Sequence, residues 1–345
     1  KQIAAGKGTA AEKIRAVYHF ALTRVRYQQD YETFLAGVKP HPASVVLSRG
    51  YGDCKDKSVL IIAMLRRLGI KANLALIRTR RVGKVRAKVP SQQFNHAVVY
   101  LPPQPGIPEK TGRFLDATAE NLDIDVLRHD VQGTLSLVLF PGGYRLIKVP
   151  YQVPDKNLSS ASLVLHLNRD GTGKVDLDWR IKGYMAGSLR KPLQNRQIML
   201  QFGQAVVHKL YPECRMKQVK AEGQQTILRP LRIQMTLQCD TAARVEEKTN
   251  TVRLRLAKVF SAHATNRGRW NDRRHPLFFG PMDVALNSLE LRLPAGMTLA
   301  SHPDALTLSD PCLTFSGTWT RTANGARYKQ RFSRTCTGLS AAGYP

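Results

Sequence analysis

The stretch Arg49-Gly-Tyr-Gly-Asp-Cys-Lys-Asp-Lys-Ser58 sets one cysteine between two aspartates and two lysines, directly ahead of the apolar run Val59-Leu-Ile-Ile-Ala-Met-Leu65. That spacing predicts a helix that starts near Asp53 or Cys54, buries Leu60, Met64 and Leu68, and stops at Gly69. A cysteine is a useful nucleophile only as thiolate. The free N–H groups and positive dipole end of a helix's first turn favour that anion. Asp53 and Asp56 are placed to cap the turn, and Lys55 and Lys57 add positive potential. Gly50 and Gly52 permit a sharp bend that leaves the thiol uncrowded. The competing reading of Cys54 is a buried structural thiol.

Outward from this stretch, Thr9 and Glu12 form a capping-box pattern ahead of Ile14, Val17, Tyr18, Ala21, Leu22 and Val25 at helical spacing. A loop with Pro40 and Pro42 follows. Past the cysteine helix come strand-like runs at 73–79 (NLALIRT), 94–101 (FNHAVVYL) and 113–118 (RFLDAT). Helix, helix, then strands predicts an α+β domain whose helices pack on an antiparallel sheet. His96 lies within the second run and Asp116 in the third, where neighbouring antiparallel strands bring side chains together. The order Cys54, His96, Asp116 matches the papain-like arrangement of nucleophile, base and orienting group. The competing readings are a satisfied core histidine for His96 and a turn cap before Thr118 for Asp116.

Beyond Pro154 the pattern becomes that of half-exposed strands. Val175, Leu177, Trp179 and Ile181 alternate with polar residues after the turn Arg169-Asp-Gly-Thr-Gly173. A helix is predicted from about Ala186 to Tyr211, with Pro192 near its start. The later runs, including 251–257 (TVRLRLA), read as further strands. The expected boundaries are a catalytic core over 1–153 and a β-rich domain over 154–345, the latter β-sandwich-like and interrupted by one long helix.

Cys54 stands apart from Cys214, Cys239, Cys312 and Cys336. Those four lack CxxC spacing and nearby paired histidines, so they read as two disulfides rather than a zinc site. The sequence-local pairing is Cys214 with Cys239 and Cys312 with Cys336, one of three possible. Two bridges imply an oxidising compartment, secreted or periplasmic. The chain begins at Lys1 without an initiator Met or apolar signal core, which suggests a trimmed mature form or an engineered one.

Lys and Arg number 53 against 25 Asp and Glu, giving a net charge of +28 over 345 residues and a pI near 10.3. The halves to either side of Pro150 carry about +13 and +15, so the excess is spread rather than held in a tail. A field of that sign attracts acidic substrates or anionic envelope surfaces. Aromatics are only 7% and no nucleic-acid motif is present, so specific nucleic-acid binding is not expected. No apolar run approaches eighteen residues, which excludes a membrane-spanning helix. No HExxH, P-loop or GxGxxG motif occurs, and no cofactor or metal is expected. Arg78, Arg80 and Arg81 sit in a basic segment between two strands, where they read either as a cleft border that selects acidic substrates or as a solvated loop.

GYGDCKDKS ahead of an apolar helix, then NHAVVYL, then RFLDAT, together resemble the transglutaminase-like superfamily. The chain is most similar to a bacterial branch in which such a core lies between two β-rich domains. The resemblance covers about the first 150 residues; beyond them, His275-Pro-Leu-Phe-Phe-Gly-Pro281 is the most suggestive fragment. It implies Cys54 as nucleophile, His96 as general base and acid, and Asp116 as the group that orients His96. The four C-terminal cysteines are not a family feature and point to an exported, stiffened variant.

An oxyanion hole needs a donor besides the Cys54 N–H, and Tyr27 or Gln28 is the candidate. The chemistry implied is attack on an amide carbonyl and a thioester acyl-enzyme. Water as the second nucleophile gives a peptidase or amidase, the outcome expected here; a lysine amine gives a protein-crosslinking transglutaminase. A non-catalytic basic scaffold of the cell envelope is the reading from another class.

Overall fold

Helix α1 (Ala10–Arg24) begins where Thr9 and Glu12 close a reciprocal capping box, and it buries Ile14, Val17, Tyr18, Ala21 and Leu22 along one face. The structure is a computed structural model that describes residues 2–29, 39–86, 88, 91–246, 248, 251–254 and 274–340. The chain divides into two compact units, Lys1–Gln152 and Val153–Pro345.

In the first unit, α1 leads into strand β1 (Arg26–Tyr27). Helix α2 (Ala43–Arg49), strand β2 (Tyr51–Gly52) and helix α3 (Cys54–Arg67) follow. Strands β1 and β2 pair in parallel, with Tyr27 opposite Gly52. The sequence reading has no α2: seven residues are too few for a periodic signal. The helix is bounded by Pro42 at its N-cap and by Gly50, whose φ of 69° suits only glycine comfortably. Gly52 is needed for a different reason, since a Cβ there would stand 2.7 Å from that of Asp56. Helix α3 starts at Cys54 as expected and buries Leu60, Ile61, Ile62 and Leu65, while Met64 and Leu68 are only half-buried.

Strands β3 (Asn73–Ile77), β4 (His96–Leu101), β5 (Arg113–Leu115), β6 (Leu135–Phe140) and β7 (Gly143–Lys148) form one antiparallel sheet in the order β5-β4-β3-β6-β7. Every residue of β4 is buried. A strand covered on both faces must be apolar throughout, and Ala97-Val-Val-Tyr-Leu101 is. His96, at its head, is the polar exception.

The second unit contains strands β8 (Leu158–Leu167) and β9 (Gly173–Ile181), helices α4 (Gly183–Arg190) and α5 (Arg196–Leu210), and strands β10 (Cys214–Glu222) and β11 (Leu231–Cys239). Then come β12 (Arg244–Glu246), β13 (Thr251–Arg253), β14 (Leu277–Phe278), β15 (Asp283–Arg292), β16 (Leu306–Ser309), β17 (Leu313–Thr322), β18 (Gly325–Arg334) and β19 (Gly338–Leu339). Of the run predicted at 251–257, only 251–254 falls among the described residues.

An eight-stranded sheet in the order β10-β11-β9-β8-β15-β18-β17-β16 organises this unit. Its pairings are antiparallel except that of β8 with β15. The β-rich part is as expected, but its core lies between this one sheet and helices rather than between two facing sheets. Leu163, Leu165, Val175, Leu177, Ile233 and Met235 on the sheet meet Ala186, Leu193 and Val207 of the helical segment. Burying each of the Leu, Val, Ile and Met side chains among them contributes roughly 1.5–3 kcal/mol. The predicted single helix is also broken: Pro192 opens a short 3-10 turn between α4 and α5, and Asn195 caps the restart.

Disulfides join Cys214 to Cys239 and Cys312 to Cys336. Cys214 and Cys239 are direct cross-strand partners on β10 and β11. Each bridge closes a loop of 24 or 25 residues, for which loss of chain entropy in the unfolded state predicts about 3 kcal/mol of stabilisation. Urea unfolding of the Cys214→Ala/Cys239→Ala variant is expected to lower the stability of unit Val153–Pro345 by about that amount. An unchanged midpoint would show that the bridge constrains nothing the sheet does not already fix.

Candidate active site

Asp53 caps α3 by accepting from the N–H groups of Lys55 (3.0 Å) and Asp56 (3.2 Å), and Asp56 returns a carboxylate oxygen to the Asp53 N–H. The Cys54 N–H, on the same first turn, is left out of this cap. The cap is itself anchored, because Asp56 accepts from Arg49 Nη2 (2.8 Å) and from the His41 N–H (2.8 Å). Ser58 Oγ donates to the Cys54 carbonyl at 2.7 Å, and Ala97 O of β4 lies 3.3 Å from it. These bonds fix the turn that presents the thiol and seat it against the strand carrying His96.

The sequence reading took Lys55 and Lys57 as positive potential around the sulfur. Instead Asp53, Lys55, Asp56, Lys57 and Ser58 are all buried. Lys55 forms an ion pair with Asp53, and Lys57 donates to the Val25 carbonyl at the end of α1. The charges of the motif therefore serve as internal fastenings. Cys54, the free cysteine of the chain, is partly exposed.

His96 and Asp116 are brought together. His96 Nε2 lies 2.9 Å from Asp116 Oδ2, and Cys54 is near enough to the same imidazole to favour its charged form. Asp116 sits one residue past β5, not within it. Its Oδ1 accepts from the N–H (3.0 Å) and hydroxyl (2.6 Å) of Thr118, so it caps a turn and meets His96 at once. Tyr18 donates its hydroxyl to the Asp116 carbonyl at 3.0 Å, tying this turn to α1.

Burial alone pushes His96 down, but the charge and hydrogen bond of Asp116, with a further bond to Cys54, outweigh it and raise the imidazole to about 10. Burial likewise pushes Asp116 up, and His96, Thr118 and Arg128 overturn that, holding the carboxylate well below its usual range. The site at neutral pH thus contains an imidazolium beside a sulfur and a carboxylate behind it.

Of the two oxyanion candidates, Tyr27 faces the site and Gln28 does not. Alternation along β1 puts Arg26 and Gln28 on one side, where the two side chains bond to each other, and Tyr27 on the other. Tyr27 is half-buried, and its phenol is pushed up to about 12, first by burial and then by the nearby negative charge of Cys54, with Arg128 opposing. Its hydroxyl is therefore a neutral donor across the working pH range. The main chain here is pinned: the N–H groups of Arg26 and Gln28 donate to Gly50 O (2.9 Å) and Gly52 O (3.0 Å), and that of Tyr27 to Glu120 Oε1 (2.8 Å).

Arg78 donates to the carbonyls of Gln93 and Val82, and Arg80 to that of His129, so both brace backbone; Arg81 is exposed. Sequence reasoning missed Arg128, which holds Asp130 with two bonds (3.0 and 2.6 Å) and projects its charge onto Asp116 and Tyr27. No periodic or motif signal marks it.

Residues 1–102 match the family model for the transglutaminase-like superfamily. That stretch, the larger part of the N-terminal unit, is similar to a transglutaminase-like core. A crystal structure of a "putative protease" from Parabacteroides distasonis is similar to the chain at 10% identity and a TM-score of 0.49. The similarity covers 99% of this chain and 49% of that one, so the chain spans about half the length of that protein. No curated protein matches in sequence. The match to the family model takes in the helix bearing Cys54 and the strand headed by His96, and it ends before Asp116. The matched stretch is thus joined, within one unit, to the turn that carries Asp116. Among the described residues no helix is long and apolar enough to cross a membrane, and the two disulfides fit an oxidising compartment.

Proposed function

We propose that the chain is a cysteine-dependent acyl-enzyme catalyst acting on peptide or side-chain amide bonds, with hydrolysis as its outcome. The superfamily match supports cysteine-protease-like activity at that coarse level. The observation that carries the reading is Cys54 at the head of α3, beside an imidazole that Asp116 holds at Nε2.

In this reading the Cys54 thiolate adds to the amide carbonyl, and the oxyanion is met by the Cys54 N–H and the Tyr27 hydroxyl. The His96 imidazolium gives its proton to the departing amine as the C–N bond breaks and the thioester forms. Neutral His96 then takes a proton from water as water attacks the thioester, and keeps it as the C–S bond breaks, so that sulfur leaves as thiolate and the starting thiolate–imidazolium pair is restored. Hydrolysis is preferred because water is always available and amine transfer needs a second site. The net charge of +28 supports a substrate that is acidic or held on an anionic envelope surface, in a secreted or periplasmic setting.

The test is incubation with a glutamine-rich acidic protein and a labelled amine, read by mass spectrometry. Cut chains or deamidated glutamine support hydrolysis, incorporated amine establishes transfer, and an unchanged protein favours a scaffold. Tyr27→Phe removes one oxyanion donor and is expected to lower kcat by about 10^2-fold with KM little changed. A wild-type kcat would remove Tyr27 from the oxyanion hole.

A further inference from the structure

Lys57 is fully buried, three residues after Cys54 on α3. Its ammonium donates to the Val25 carbonyl, at the junction of α1 and β1. The charged groups that face it are Glu120 and Asp116, both on the turn after β5. Glu120 in turn accepts the N–H of Tyr27 at 2.8 Å. One cation therefore touches or faces the three segments that must meet around Cys54: the strand of Tyr27, the turn of Asp116, and the nucleophile's own helix. A fully buried ammonium is unfavourable unless it is compensated. Nothing in the acyl-transfer steps uses this one.

We infer that Lys57 is a positioning residue, whose ammonium clamps the Tyr27 strand and the Glu120 turn onto the first turn of α3 and so assembles the oxyanion hole around Cys54. The inference rests on the reading of Cys54 as nucleophile and Tyr27 as oxyanion donor. Burial pulls Lys57 down to about 8, against the opposing pull of Glu120 and Asp116. Its proton is thus lost at lower pH than that of His96, and the clamp opens while the imidazolium still stands.

Two probes separate this role from mere support of the fold. Acylation of Cys54 by p-nitrophenyl acetate forms a C–S bond, expels nitrophenolate and passes through an oxyanion; alkylation by iodoacetamide displaces iodide from carbon and needs no oxyanion hole. Both are followed by intact mass on the whole chain. Lys57→Met is expected to slow acylation at least 10-fold at pH 7 and to leave alkylation within 2-fold of wild type. Lys57→Arg, which keeps a cation, is expected to recover part of the loss. The wild type alone provides a second measure that needs no variant: the ratio of acylation to alkylation rates should fall as pH rises through about 8. Unchanged acylation in Lys57→Met, equal slowing of both reactions, or a flat ratio in the wild type would each overturn the inference. Wild-type acylation that survives in Cys54→Ala would overturn the underlying site reading as well, which distinguishes the two failures.

Discussion

Cys54→Ala is expected to abolish acyl-enzyme formation, lowering turnover on any amide or ester substrate by on the order of 10^4-fold or more. The size follows from the mechanism. Without the sulfur no covalent intermediate exists, and an oxyanion hole with ordered neighbours retains only a small fraction of the acceleration. The fold should survive the change, because the thiol is partly exposed and the cap of α3 is made by Asp53 and Asp56. An unaltered thermal melt with activity gone is the expected pair of results. Residual activity near that of the wild type would mean that the chemistry lies elsewhere on the chain.

Asp116→Asn should have the next largest effect, a loss of about 10^2- to 10^4-fold in kcat. An amide keeps the shape but not the charge that holds His96 protonated. Burial then dominates, and the imidazole is neutral at pH 7. The same pair leaves a mark on stability. His96 is raised from 6.5 to about 10 in the folded chain, so its contribution is full below pH 6.5 and is lost as pH rises from there through about 10. Asp116 is lowered from 3.8, so its contribution is present above that value and is lost as pH falls through the lowered one. The pair stabilises the fold most between about pH 4 and 6.5. Asp116→Asn should reduce stability in that window by on the order of 3 kcal/mol and flatten its decline between pH 6.5 and 10. Unfolding midpoints across pH, wild type against variant, check both signs; an unchanged slope would mean that His96 gains nothing from the carboxylate.

Much of the first unit is written in local signals. The capping box at Thr9, the cap and apolar stripe of α3, and the turn residues around β3, β4 and β5 each act within a few positions, and such patterns can be read without knowing the rest of the chain. Cys54, His96 and Asp116 were singled out by their order and by the elements that carry them. Their meeting depends on a register that only the folded sheet fixes. The pairing of β1 with β2 brings Tyr27 beside Gly52, yet two-residue strands leave no periodic trace. The burial of Lys57 has no sequence signal, because a charge run looks the same whether it is solvated or folded inward, and only its neighbours Val25, Glu120 and Asp116 tell the two apart.

In the second unit the alternating strands were legible because one face of each is buried. Alternation says that a face is covered, not by what. Helices α4 and α5 cover it here, where a sandwich would use a second sheet. The parallel join of β8 to β15 spans more than a hundred residues and leaves no local mark at all.

The most direct test of the central claim is the rate at which p-nitrophenyl acetate places one acetyl group on Cys54, followed by intact mass in the wild type and in His96→Ala at pH 7. The account predicts a single adduct confined to Cys54 in the wild type and a rate lower by about 10^2-fold or more in the variant. Acetylation spread over surface lysines, or equal rates in the two proteins, would contradict it.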